Sequence, residues 1–390
     1  MRPFSAMLTL ATVLVPVPVL AQEIGTGVRA TVNTLFDSNL LRANRLRPAR
    51  NRSDVRVTPA ITINVDRERG PYRLYLKGEA GYDLHRQNTR LDSERIGLVG
   101  GGRARIGGFC HAEPSVRLDR RQVDVADLGL VERNRLNGQT YTITADCTKP
   151  AGISPVVSAS YAHLTNSSLL RRPFDLDTRN VTAALAYVRP SLGRASVVYS
   201  YTALDRPTWS GLEAERNRTV VQQLGLRFER EVAARLHGTL EGFAIRTDTP
   251  APGVDTRTGL GWHGLISWLP SPATTINAES TRDVRGDSSF GAAYLVYDSN
   301  SLSVVRRLGY RTSLEASAAL TKRDLREEVI VLGLPLRGSD RTTSFRAVLR
   351  HELGTRINLA GEIGHLKRTA SNPFYNFNST QVALRAGLRF

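Results

Sequence analysis

The chain has 390 residues, a formal charge of +17 and an apolar content of 41%. Its length would serve two or three soluble domains, but beyond the first residues no run of about 20 apolar residues occurs, so it has no candidate spanning helix. The basic side chains are 49 Arg and only 4 Lys; such a surplus suits nucleic acid, anionic lipid or anionic glycan, and the export signal described next argues against nucleic acid.

Residues 1–21 read as a secretory leader. Arg2 supplies the positive start, an apolar run follows from Ala6 to Leu20, and Val19-Leu20-Ala21 forms the cleavage site. The mature chain is expected to begin at Gln22, and removing Arg2 lowers the formal charge to +16. No cysteine follows the cut, so a lipoprotein is not expected.

From Val55 onward the pattern has period 2. Val55, Val57, Pro59, Ile61, Ile63 and Val65 alternate with Arg56, Thr58, Ala60, Thr62, Asn64 and Asp66. A turn at Asp66–Pro71 leads to a second run in which Tyr72, Leu74, Leu76, Gly78, Ala80, Tyr82 and Leu84 share one face. Pro59 cannot donate to a ladder and suggests a bulge. Short turn signals then recur near Gly107-Gly108, 149–152, 190–193, 230–235, 270–272, Leu308-Gly309 and Gly354-Thr355. Between them lie longer polar connections at 38–52, 86–93, 124–136, 164–177, 203–218, 247–256, 283–290, 324–340 and 368–375.

Alternation of short turns with long loops is the signature of an outer-membrane barrel, with short connections on the periplasmic side. Eight turns and nine loops imply 18 strands, or 16 if the blurred stretches 275–283 and 292–306 are not strands. A soluble β-sandwich or solenoid also alternates, but a sandwich of this size needs a linker, and none is visible. The end of the chain is the clearest element. Val382, Leu384, Ala386, Leu388 and Phe390 fall on one face; Gln381, Ala383, Arg385, Gly387 and Arg389 fall on the other. The terminal Phe390 is the expected signal to the barrel-assembly machinery. The expectation is an all-β, antiparallel, up-and-down transmembrane barrel over 22–390, in the outer membrane of a Gram-negative bacterium and bathed in lipid and lipopolysaccharide. Its apolar face would meet lipid and its polar face a wet lumen.

In this layout Cys110 starts the fifth strand and Cys147 ends the sixth. Both fall at the periplasmic rim, so a Cys110–Cys147 disulfide is predicted, in keeping with an oxidising compartment. Their spacing fits no zinc motif.

Candidate chemistry is sparse. The seven histidines, His85, His111, His163, His237, His263, His351 and His365, are scattered, and none is paired at metal-ligand spacing. Neither HExxH nor GxSxG occurs. A site assembled across strands, such as Ser115 beside a neighbouring histidine, leaves little local signal. Gly100-Gly101-Gly102 lacks the spacing of a nucleotide loop and reads as a place of sharp curvature or close approach. No catalytic, metal or cofactor role is assigned.

The inward face carries the charge. Its expected basic residues are Arg29, Arg56, Arg73, Lys77, Arg95, Arg103, Arg105, Arg117, Arg227, Arg346, Arg350, Arg385 and Arg389. Its expected acids are Asp66, Glu79, Asp83, Glu113, Asp119, Glu229, Glu279, Glu315, Glu352 and Glu362. A second basic cluster, Arg42, Arg45, Arg47, Arg50 and Arg52, lies in the first outer loop with no acid between Ser38 and Arg52. The arginines suit salt bridges across the wall and lipopolysaccharide phosphates, or successive weak sites for an anionic polymer. No connection is long enough to be an obvious plug.

The segment Phe36-Asp37-Ser38-Asn39-Leu40-Leu41-Arg42 resembles the β-barrel porins encoded in exopolysaccharide operons, whose first strand ends in an aromatic-Asp-Asp/Ser-Asn segment followed by apolar residues and Arg. The plan of leader, plug-free barrel and aromatic terminal strand is similar too. The resemblance implies passive passage of exopolysaccharide or capsule across the outer membrane, with periplasmic polysaccharide-export partners and no catalytic residues. A small-solute porin and an outer-membrane enzyme acting on lipid or glycan are the alternatives. Locally, Asp37-Ser38-Asn39 suits a turn whose side chains bond nearby backbone.

Overall fold

The computed structural model describes residues 26–128, 131–207, 218–232, 235–249, 256–288, 292–326 and 336–390; the leader at 1–21 lies outside the described residues. The chain forms β1 (Gly27–Asp37), β2 (Asp54–Arg69), β3 (Tyr72–His85), β4 (Ser93–Ile106), β5 (Cys110–Gln122), α1 (Val125–Leu128), β6 (Arg135–Cys147), β7 (Gly152–Asn166) and β8 (Leu176–Arg189). It continues with β9 (Gly193–Asp205), β10 (Arg218–Val232), β11 (Leu236–Asp248), β12 (Arg257–Ser271), β13 (Thr274–Arg285), β14 (Tyr294–Arg307), β15 (Thr312–Arg326), β16 (Ser339–Leu353), β17 (Ile357–Ala370) and β18 (Phe377–Arg389). Each strand pairs antiparallel with its chain neighbours. The first and last strands pair with each other, Arg29 opposite Arg389 and Asp37 opposite Gln381, so the 18-stranded sheet has no free edge. Both blurred stretches are strands, β13 and β14, which settles the count at 18 rather than 16.

Closure follows from the alternation. Val28, Val32 and Phe36 on β1, and Val382, Leu384 and Leu388 on β18, point outward and are exposed. Only lipid suits such a surface, because every main-chain group within the wall is already bonded. The strands are 11–16 residues long, more than the roughly 9–11 that a bilayer requires, so the connections are shorter than the sequence suggested. The surplus stands above the apolar band on the long-loop side. There the outward-facing Glu94 binds Arg135 at 2.5 Å and Arg120 at 3.1 Å.

Pro59 makes no bulge. Val57 opposes Leu84 and Ala60 opposes Gly81 in unbroken register. Gly81 allows the close approach, since a Cβ there would lie 2.8 Å from that of Ala60. The register shifts instead between Trp268 and Ser271, beside the β12–β13 turn. Cys110 and Cys147 are directly opposed on β5 and β6 and form a disulfide. In Gly100-Gly101-Gly102 the close approach is at Gly101, where a Cβ would meet the Tyr75 hydroxyl at 2.5 Å.

Candidate functional site

The inner wall is a ladder of charges. Arg346 grips Glu362 through two hydrogen bonds of 2.7 Å, and Arg350 meets Glu315 at 2.7 Å. Arg73 binds Asp66 at 2.9 Å through Nε. Arg56 and Arg95 share Asp83 at 3.7 and 3.0 Å, and Arg117 lies 3.9 Å from Asp119. The two-pronged contacts of Arg346 with Glu362 and of Arg73 with Asp66 hold both partners in one geometry. Arg227 likewise meets Glu241 at 2.7 Å, so seven of the expected inward basic residues, Arg56, Arg73, Arg95, Arg117, Arg227, Arg346 and Arg350, are in ion pairs along the wall.

The other expected lumen residues differ. Lys77, Arg105 and Arg385 have no carboxylate within salt-bridge distance among the described residues, although they lie on the same inward face. Arg103 stands opposite Arg73 across the β3–β4 ladder, and Arg389 stands opposite Arg29 across the closing seam. Like charges directly opposed on one face repel. Asn33, Arg346, Arg350, Glu362 and Arg385 also line a small cleft of about 20 Å³, space for a single water.

At the long-loop mouth a connection too short to be an obvious plug nevertheless reaches across the lumen. The β5–β6 connection, carrying α1, crosses to the wall at β15–β17, six to eight strand positions around the ring from β5. The Asp127 carboxylate there meets Arg323 and Arg368 at 3.1 Å each and Arg337 at 3.6 Å. Asp340 closes the group, 2.8 Å from Arg323 and 3.2 Å from Arg337. Burial alone would raise the Asp127 pKa; Arg323, Arg368 and Arg337 overcome it and hold the carboxyl well below the usual range. Burial, with Arg368 and Arg323 adding repulsion, pushes Arg337 down to about 9, so it remains cationic at neutral pH.

The β13–β14 connection also folds inward. Asn166 at the end of β7 donates to the Ser288 carbonyl at 3.2 Å. Arg206, after β9, donates to the carbonyls of Asp287 at 3.3 Å and Ala293 at 3.1 Å, and to that of Ala292. An apolar cluster of Leu176, Leu204, Val221, Ile245, Ala293 and Tyr294 seals the contact.

The first outer loop does not present all five of its arginines to the surroundings. Arg42 is 5% exposed; it binds Asp37 at 2.9 Å and Asp124 at 3.2 Å, and its guanidinium lies over the Phe377 ring. Burial opposes its charge, but Asp124 and Asp37 outweigh burial and raise its pKa. Arg47 is half-buried and lies over Phe374. Arg45, Arg50 and Arg52 are exposed. Arg45 and Arg52, with Lys367, line a cavity of about 570 Å³ under the loop. Asp37 lies in the same local segment as Arg42, but its second partner, Asp124, is 82 residues away and leaves no local signal.

The Phe36–Arg42 segment has the turn role its residues suggested. Asp37 accepts from the Asn39 amide at 2.8 Å and the Gln381 side chain at 2.8 Å, and Asn39 bridges to the Asn378 carbonyl at 2.9 Å. The motif therefore ties the β1–β18 seam at its outer end. Ser115 opposes Gly101 and Thr142 on its two neighbours, neither of them a histidine. Among the described residues no group of three metal-ligating side chains occurs. Phe390 is 74% exposed, and its amide donates to the Val28 carbonyl at 3.0 Å.

No family model matches the chain, and no curated protein matches it. Solved structures do. OccK2 (OpdF) of Pseudomonas aeruginosa, solved in complex with glucuronate, is 12% identical over 94% of this chain and 98% of that one, with a TM-score of 0.49. A BenF-like porin from Pseudomonas fluorescens Pf-5 is 12% identical over 94% and 99%, again at 0.49. A bacterial polysaccharide outer membrane secretin is 10% identical over 93% and 98%, at 0.37. At such identities the likeness is one of fold alone. The fold itself is decided by the coordinates: the chain is a closed, antiparallel, 18-stranded β-barrel with an apolar outer face.

Proposed function

We propose that the barrel is a passive channel for small anionic solutes. The observation that carries this reading is the set Lys77, Arg105 and Arg385, inward cations without a carboxylate partner among the described residues, in a wall whose other charges are mostly neutralised. Barrels of 16–18 strands enclose water, and partly unbalanced cations along such a path act as weak, sequential anion sites.

Export of an exopolysaccharide, which the Phe36–Arg42 resemblance implies, requires a wide mouth and periplasmic partners. Two inward-docked connections narrow that mouth, so both must leave before an extended glycan passes. We therefore prefer the small-solute reading. It assigns no catalysis. Insertion is assigned to the barrel-assembly machinery acting on the strand that ends at Phe390, after removal of the leader at 1–21.

The test is conductance of the purified barrel in planar bilayers, with reversal potentials in a salt gradient. Discrete steps with anions favoured over cations are expected. Replacing Lys77, Arg105 and Arg385 together by Gln should bring the selectivity close to neutral. A barrel that gives no steps, or one that prefers cations, overturns the proposal. Deleting the gene and measuring surface polysaccharide addresses the export reading, which an undiminished polysaccharide layer would defeat.

A further inference from the structure

The contact between Asp127 and the far wall has the composition of a ligand site. Three guanidiniums converge on one carboxylate that arrives on a short segment, α1, from across the lumen. Among the described residues the wall brings Arg323, Arg337 and Arg368 to this contact, with Asp340 between Arg323 and Arg337. Arg337 is backed by the Tyr375 ring at 4.4 Å and Arg368 by Phe377 at 5.0 Å. Flat aromatic faces behind planar guanidiniums hold their forks oriented. The wall is thus arranged for a carboxylate whether or not that carboxylate belongs to the chain.

We propose that Arg323, Arg337 and Arg368 form a binding site for the carboxylate of an entering solute, occupied at rest by Asp127, so that the solute displaces the β5–β6 connection and opens the mouth. This rests on the channel reading for its consequence, opening, but not for the site. The resident and incoming carboxylates make the same charge-assisted hydrogen bonds, so exchange needs no change in the wall. The connection is also held by Asp124 to Arg42, by Val125 packed against Leu41 and Leu91 and by Glu132 to Arg171, which keep it near the mouth when Asp127 leaves.

A site that is filled by an internal competitor loses apparent affinity in proportion to the fraction filled. If Asp127 occupies it nine-tenths of the time, the loss is about tenfold. The experiment is titration of the detergent-solubilised full-length barrel with sodium gluconate by calorimetry. It compares the wild type, Asp127→Ala, and Asp127→Ala combined with Arg368→Gln. Asp127→Ala should bind gluconate about tenfold or more tightly than the wild type, and Arg368→Gln should remove the gain. Asp127→Asn, of equal size and without charge, repeats the comparison, so a folding defect in one variant does not decide it. Equal affinity in the wild type and both Asp127 variants overturns the proposal, as does a gain that survives Arg368→Gln. Binding does not require conduction. A gain in a barrel that fails to conduct therefore keeps the site and defeats the channel reading, whereas conduction without the gain does the reverse.

Discussion

Arg42 offers a quantitative test of how the loops are held. Its guanidinium donates to Asp37 at 2.9 Å, to the Asn39 carbonyl at 2.9 Å and to both oxygens of Asp124 at 3.2 Å. Breaking a buried ion pair by removing one partner costs about 3–5 kcal/mol. Asp37 retains Gln381 and the Asn39 amide as donors, so the lower end, about 3 kcal/mol, applies. Arg42 also has a φ of 54°, a left-handed conformation costing a non-glycine residue about 1 kcal/mol. Arg42→Gly should therefore be about 1 kcal/mol less damaging than Arg42→Ala, although both lose the guanidinium. The loss is local, since the wall stays closed by its own ladders, and it reads out as loop opening. Amide hydrogen exchange over 38–53 should accelerate about a hundredfold in Arg42→Ala, because 1.4 kcal/mol is a factor of ten. The exposed Arg45→Ala should change it by less than about threefold. If the Arg42 and Arg45 variants exchange alike, Arg42 does not hold the loop and the reasoning fails.

Other outcomes follow from the same contacts. Cys110→Ala should lose the mobility difference between reduced and oxidised protein on gels, and should destabilise the barrel by about 3–4 kcal/mol on the loop-entropy argument; an unchanged denaturation midpoint would contradict that. At Gly286 a Cβ would lie 2.7 Å from Leu176 Cδ2 and 3.1 Å from Leu204 Cδ2. Gly286→Ala should therefore expose the β13–β14 connection to protease, at a cost of about 1–3 kcal/mol, and Leu204→Ala in the same chain should reverse part of the effect. For Asp127 the folded pKa lies below the unfolded value of about 3.9. Its stabilisation is therefore fully present above that value and is lost as pH falls through the depressed folded one. Protease access to 123–134 should be flat from pH 5 to pH 8 and rise only in strong acid; a release midpoint above pH 5 would show that something other than Asp127 holds the connection.

Much of the architecture was legible in the residues because its causes are local. Period 2 sorts Val382 from Gln381 and Leu384 from Arg385 with no knowledge of neighbours, and Gly70-Pro71 or Gly354-Thr355 ends a run by backbone preference alone. Counting such runs narrows the strand number to 18 or 16, and the order of the fifth and sixth strands sets Cys110 beside Cys147. Strand length was less legible. Polar outward residues such as Glu94 and Arg120 look the same in a loop as on a strand standing clear of the bilayer. Pro59 was misleading because whether a proline forces a bulge depends on its neighbour, here the glycine at 81.

The sequence by itself therefore determined most of the wall: which face of each clear strand meets lipid, where the chain turns and which cysteines join, with the strand count narrowed to 18 or 16. Only the tertiary structure decided what lies within and across that wall. Asp127 reaches arginines 196 and 241 positions further on, and Arg42 reaches an acid 82 positions away. The physical reason is that alternation and turns act over a few residues, whereas an ion pair spanning the mouth exists only once ring closure has brought opposite walls within reach of one loop.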